Sequence, residues 1–168
     1  MSPFILSAMS DIIMTITNKD TWSFREKNLL STDSLLQDIL IHRKDIEGVT
    51  ILGGEPFDQY QETLQLVKLI QSNGLSVMLY TGYELEFIKS KGFGEILDYV
   101  DILIPGEYNE KKRNTNLQWR GSENQSILFL SERYKDYELE EGNYIEIEID
   151  GSGKQTLFGY PDRWIQRD

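Results

Sequence analysis

Cysteine is absent from all 168 residues, and histidine occurs once, as His42. The first absence excludes disulfides and thiolate metal sites. The second leaves a zinc site little but carboxylates, a poor donor set for that ion. Basic residues are scarce too: 17 lysines and arginines stand against 28 aspartates and glutamates, a formal net charge of −11. That balance disfavours nucleic acid, whose phosphates are held by cations that release counterions. The one basic run, Lys111-Lys112-Arg113, is flanked by Glu107 and Glu110 and reads as a solvated loop. Long apolar runs are also missing. FILSAMSDIIM, residues 4–14, is broken by Ser7, Ser10 and Asp11 and has no basic flank. It is too short for a membrane span and wrong for a signal peptide, so a cytoplasmic, membrane-free protein is expected.

What is present reads as one α/β domain over residues 1–168, with 39% apolar and 27% charged residues. FIL at residues 4–6 reads as a first strand, and the β-branched stretch DIIMTIT that follows is ambiguous. Ser31-Thr32-Asp33 caps a helix with Leu35, Leu36, Ile39 and Leu40 on one face. GVTILGG is a buried strand. A helix from about Phe57 to Ser72 follows, with Leu64, Val67 and Ile70 at helical spacing and Asn73-Gly74 ending it. LSVMLYTGY, a helix over Tyr83 to Lys91, and YVDILIPG continue the alternation, which predicts parallel βαβ units. After Arg120 the rhythm changes to strands: SILFL, then YIEIEID and KQTLFGY joined as a hairpin through Asp150-Gly151-Ser152-Gly153. In YIEIEID the isoleucines 145, 147 and 149 alternate with acids, predicting one packed and one wet face.

Ligands of parallel α/β folds gather at the C-terminal ends of strands. GGEP, YTGY and IPGEY all fall at that edge, so three loops frame a cleft. Gly53 and Gly54 allow close backbone approach, Glu55 accepts hydrogen bonds from a cationic group, and Pro56 fixes the entry to the helix. The same GGEP also fits a plain strand-to-helix turn with a solvent-facing glutamate.

GGEPFDQ, LYTGYELEFI, VDILIPGEY and LQWRGSENQ come in the order and approximate spacing of one family, and TNKDTWSF matches a segment upstream. Over roughly residues 4–130 the chain resembles the activating protein of the anaerobic (class III) ribonucleotide reductase, of the radical S-adenosylmethionine superfamily. The resemblance implies an incomplete (βα) barrel, a partial TIM barrel, over 1–130, with 131–168 as a C-terminal extension carrying the hairpin. It implies a 4Fe–4S cluster on three cysteines spaced C-x3-C-x2-C. That cluster binds S-adenosyl-L-methionine and yields a 5′-deoxyadenosyl radical, which makes a glycyl radical on the large reductase. The ammonium of the cofactor then falls to Gly53, Gly54 and Glu55, with Thr81 lining the pocket and Arg120 and Asn124 as carboxylate or ribose contacts. Tyr80, Tyr83 or Ile104 would shelve the adenine.

The departures from the family are as specific as the matches. The three cysteine positions fall on Met9, Ile13 and Ile16, Thr17 stands in place of histidine, and Lys19 in place of proline. Ala8 replaces a glycine, and Pro105-Gly106 an Asp-Gly pair. A cubane needs thiolates, methionine is a poor ligand for it and isoleucine is none. The cluster is therefore expected to be lost and its loop repacked with apolar side chains, leaving a pseudoenzyme that binds S-adenosylmethionine or an adenosyl relative in a binding, partner or regulatory role. Two alternatives stand beside it. One is an enzyme using S-adenosylmethionine by polar transfer or lyase chemistry, with Glu55 as the candidate base. The other is a glycyl-radical activase by descent. The partners expected are an adenosyl small molecule and a glycyl-radical-type or other protein. The barrel's open edge or the hairpin offers a surface for a homodimer. His42 reads as a solvated helical residue, and Trp22 and Trp119 as packing residues.

Overall fold

The computed structural model describes residues 31–52, 54–140 and 142, together with the backbone of the strand segments 5–8, 145–149 and 155–159. Met9, Ile13, Ile16, Trp22 and Gly53 lie outside the described residues, as does the ambiguous stretch after Ala8.

Five strands form one sheet in the order β1 (Ile5–Ala8), β2 (Gly48–Leu52), β3 (Ser76–Thr81), β4 (Ile102–Pro105) and β5 (Leu128–Phe129). The three inner strands run parallel, as alternating strand and helix segments require. Both outer strands are antiparallel to their neighbours, β1 to β2 and β5 to β4. Helices α1 (Thr32–Ile41), α2 (Tyr60–Ser72) and α3 (Leu85–Ser90) make the connections. A separate antiparallel pair, β6 (Ile145–Ile149) and β7 (Gln155–Gly159), is the expected hairpin, with Ile147 opposite Leu157. The packing of its isoleucine face lies outside the described side chains.

Strand alternation sorts the core into two layers. Val77 and Leu79 of β3 and Leu103 of β4 join Leu35, Ile39, Leu66, Val67, Ile70 and Ile88 from the helices in one cluster. The residues between them in sequence, Met78, Ile102 and Ile104, pack on the other face with Tyr80, Trp119, Phe129 and Tyr134. The helices thus share one face, and the segment after Trp119 covers the other. β2 and β3 approach so closely at Gly48 that a Cβ there would lie 1.9 Å from Ser76 Oγ and 2.7 Å from the Ser76 carbonyl. Glycine at that position is a packing requirement.

Local signals set the element ends. Ser31 Oγ accepts the Ser34 N–H at 3.1 Å and caps α1, as the Ser-Thr-Asp run predicts. Ser31→Ala is expected to cost about 1 kcal/mol, lowering the melting temperature by roughly 2–4 °C in thermal denaturation followed by circular dichroism. α2 begins three residues later than expected, because Pro56–Gln59 forms a tighter 3-10 turn first. It ends at Asn73, with Gly74 in the left-handed region at φ 74°. His42 is exposed at the end of α1, as expected.

Candidate functional site

The turn after β2 is held by the side chain of its own glutamate. Glu55 is the N-cap of the 3-10 turn, and its Oε1 accepts the Phe57 N–H at 3.0 Å. The same oxygen accepts the Thr81 hydroxyl at 2.8 Å, while Oε2 accepts the Gly82 N–H at 2.9 Å. Glu55 therefore pins the turn after β2 to the turn after β3. Burial pushes its carboxyl up from the usual range; the Phe57, Gly82 and Thr81 hydrogen bonds pull against this, and nearby Asp58 adds to it.

The chain of contacts continues across the edge. Thr81 Oγ1 accepts the Tyr83 N–H at 3.1 Å, and the Tyr83 hydroxyl donates to Asp58 Oδ1 at 3.1 Å. The Tyr83 carbonyl accepts the Gly106 N–H at 3.2 Å, joining the third turn. Gly106 has φ 106°, a conformation that favours glycine, so the Pro105-Gly106 pair serves the backbone here. Its carbonyl accepts Gln125 Nε2 at 3.1 Å, and Gln125 Oε1 in turn accepts the N–H groups of Gly121 and Ser122. Gln125 was not singled out in the sequence, although it lies within the WRGSENQ match.

Arg120 and Asn124 lie in this last turn, both half-buried. Arg120 Nη1 donates to the Gln125 carbonyl at 3.3 Å, and Asn124 Nδ2 to the Glu107 carbonyl at 2.7 Å. Arg120 Nε and Asn124 Oδ1 are buried with no hydrogen-bond partner among the described residues. The structure thus links Glu55, Thr81 and the Arg120–Gln125 turn through one run of hydrogen bonds. Thr81 is buried beneath that run, and its hydroxyl serves Glu55 and Tyr83. Of the three adenine-shelf candidates, Ile104 is buried on the sheet. Tyr80 is half-buried, its hydroxyl donating to the Trp119 carbonyl at 2.7 Å, and burial raises its pKa strongly. Tyr83 is half-buried against Phe87, ring centroids 4.6 Å apart. Trp119 packs as expected, stacked on Tyr137 at 4.9 Å.

Among the described residues no group of three or more histidines, cysteines or acids stands in a metal-holding arrangement, and no helix is long and apolar enough to cross a membrane. The full chain offers no thiolate to any cluster.

Residues 15–128 match the family model for a 4Fe-4S single cluster domain. The chain is 34% identical to the anaerobic ribonucleoside-triphosphate reductase-activating protein of Enterobacteria phage T4, over 66% of this chain and 71% of that one. It is 33% identical to the protein of the same name from Pasteurella multocida, covering 66% and 75%. For that of Haemophilus influenzae the identity is 30% over 66% and 75%. No solved structure matches. The order of the turns, the matched span and these identities agree: the chain belongs to the anaerobic ribonucleoside-triphosphate reductase-activating protein family.

Proposed function

We propose that this chain binds S-adenosylmethionine or an adenosyl relative at the carboxyl edge of its parallel strands. It does so without a 4Fe–4S cluster and without 5′-deoxyadenosyl radical chemistry, in a binding or regulatory role toward a protein partner. The observation that carries this reading is the Glu55 carboxylate tied to Thr81 and Gly82, with Asp58 beside it, which gives three linked turns an acidic rim suited to a cationic ligand. Gly54, Glu55 and Thr81 form one side of the site, to which the sequence motif adds Gly53; Arg120 and Asn124 form the other. The sheet reads as the start of an incomplete (βα) barrel over residues 1–130, supported by three helices on one face. Residues 131–168 are then an extension of a single domain.

Donor chemistry supports the loss of the cluster. Iron–sulfur cubanes are held by thiolates; the chain has none, and His42, its one imidazole, is exposed at the end of α1. The residues present do not fit the group. The relatives' name, a reductase-activating protein, favours a second reading, an activase whose cluster is completed by a partner. It also supports a reductase-like protein as the partner in either case.

Isothermal titration with S-adenosylmethionine, S-adenosylhomocysteine and 5′-deoxyadenosine is expected to show binding, and anaerobic iron–sulfide reconstitution to leave the protein colourless. No heat and no thermal shift with any ligand would end the binding proposal. A brown protein with a cubane EPR signal, releasing 5′-deoxyadenosine on reduction, would establish the activase reading instead.

A further inference from the structure

Trp119 is the one non-glycine among the described residues with a positive φ, 60°. A bulky side chain is disfavoured there, because its Cβ crowds the following carbonyl, and such a conformation persists only where its surroundings hold it. Two holds are visible. The Trp119 carbonyl accepts the Tyr80 hydroxyl of β3 at 2.7 Å, and the indole stacks on Tyr137 with ring centroids 4.9 Å apart. Tyr137 is 38% exposed, so the stack can part without opening the sheet. The residues on either side of the stack are tied together as well. Gln118 Nε2 donates to the Tyr137 hydroxyl at 2.7 Å, and Gln118 Oε1 accepts the Glu140 N–H at 2.8 Å. The Asn116 carbonyl accepts the Gly142 N–H at 3.0 Å. On its other side Trp119 runs straight into the Arg120–Gln125 turn, where Gln125 Oε1 holds the Gly121 and Ser122 N–H groups at 2.9 and 3.2 Å.

We propose that Trp119 is a strained latch through which the segment 137–142, gripping it at Tyr137, sets the shape of the turn at the candidate site. With its ring on Tyr137 and its carbonyl on Tyr80, the backbone stays left-handed and feeds the chain into the turn. When Tyr137 withdraws, Trp119 relaxes to a negative φ, a rotation of roughly 120°. That rotation carries the Trp119 carbonyl off Tyr80 and the Gly121 and Ser122 N–H groups off Gln125. The element therefore has two discrete arrangements, and the position of the segment 137–142 selects between them. The residue type fits this role. A glycine would sit at φ 60° without strain and hold the turn whether or not Tyr137 were in place, whereas a tryptophan holds it only while stacked. The inference is independent of what the site binds.

Amide hydrogen exchange on the full chain, with no ligand added, tests the latch. Tyr137→Leu is expected to speed exchange at Gly121 and Ser122 by about tenfold, the scale of an aromatic stack with a hydroxyl bond, while the amides of α2 keep their protection. Trp119→Ala, which keeps the strain and loses the stack, is expected to loosen the turn to a similar degree. Trp119→Gly, which loses both, leaves Gly121 and Ser122 within about twofold of wild type. Simple packing by the indole predicts the opposite, equal loosening in the alanine and glycine variants. Unchanged exchange in Tyr137→Leu, a loss in that variant that extends equally to α2, or a glycine variant as loose as the alanine one overturns the proposal. Should Trp119→Ala unfold, the comparison of Tyr137→Leu and Trp119→Gly with wild type decides it.

Discussion

Asp101→Ala is expected to destabilise the protein by about 4 kcal/mol, the largest loss from any single polar side chain in the described core. Asp101 sits just before β4, buried at the end of the sheet opposite the candidate site. Its Oδ2 accepts the Val77 N–H of β3 at 2.9 Å and Gln71 Nε2 of α2 at 2.6 Å. Its Oδ1 accepts the Ser131 hydroxyl at 2.5 Å. Its backbone adds two more ties, Asp101 N–H to the Val77 carbonyl and Leu130 N–H to the Asp101 carbonyl. One carboxylate thus joins α2, β3 and the segment after β5. Alanine strands a buried backbone donor and breaks bonds to a charged acceptor, and each such loss is worth roughly 1.5–3 kcal/mol. Asparagine keeps an oxygen toward Val77 and Gln71 and turns its amide to a serine hydroxyl able to accept, so Asp101→Asn costs only about 1 kcal/mol. Urea denaturation with unchanged slope measures both. An alanine variant within about 1 kcal/mol of wild type would show that the three contacts are incidental.

That network was invisible in the sequence, and the reason is physical. Gln71, Val77 and Ser131 are brought to Asp101 from up to 30 positions away, and Tyr134 reaches Glu47 across 87, its hydroxyl 2.8 Å from both Glu47 Oε1 and Ser76 Oγ. No periodicity or capping rule encodes such pairs. Burial, foremost, pushes the Tyr134 hydroxyl up to about 12, so it stays a protonated link. What is local was legible: the Ser31 cap, the Gly74 stop, the three parallel strands and the C-terminal hairpin each follow from spacing within a few residues. Strand direction at the sheet edges was not, because β1 and β5 join through connections whose path the pattern leaves open. At the site, the sequence placed three turns on one edge because strand polarity dictates it. It nominated Arg120 and Asn124 through the family motif. It missed that Glu55 would be engaged by Thr81 and Gly82, since whether a turn carboxylate faces solvent or a neighbouring loop depends on strand register.

The engagement of Glu55 gives the second large effect. Glu55→Ala removes the cap of the 3-10 turn and leaves the buried Thr81 hydroxyl and Phe57 N–H without their acceptor, an expected loss of about 2 kcal/mol. The loss depends on pH in a definite sense. Burial holds the folded-state pKa above the unfolded value of 4.5, outweighing the three hydrogen bonds that favour the charged form. The folded protein therefore binds this proton more tightly than the unfolded chain. The corresponding stabilisation is fully present below the unfolded pKa and is lost as pH rises through the folded one. Wild type should gain on Glu55→Ala as pH falls from neutrality toward 4.5, with the other carboxylates cancelling because both proteins share them. Urea melts of the pair at pH 7.5 and pH 5 read this directly, and a gap that narrows toward acid would contradict it. The same proton links to binding. A sulfonium ligand beside the acidic rim favours the ionised carboxylate and is itself favoured by it, so S-adenosylmethionine should bind more tightly as pH rises through the Glu55 pKa. S-adenosylhomocysteine, with no charge on sulfur, should show a flatter profile. Identical profiles for the two ligands would place the sulfur away from Glu55 and leave that carboxylate as a clamp between the turns.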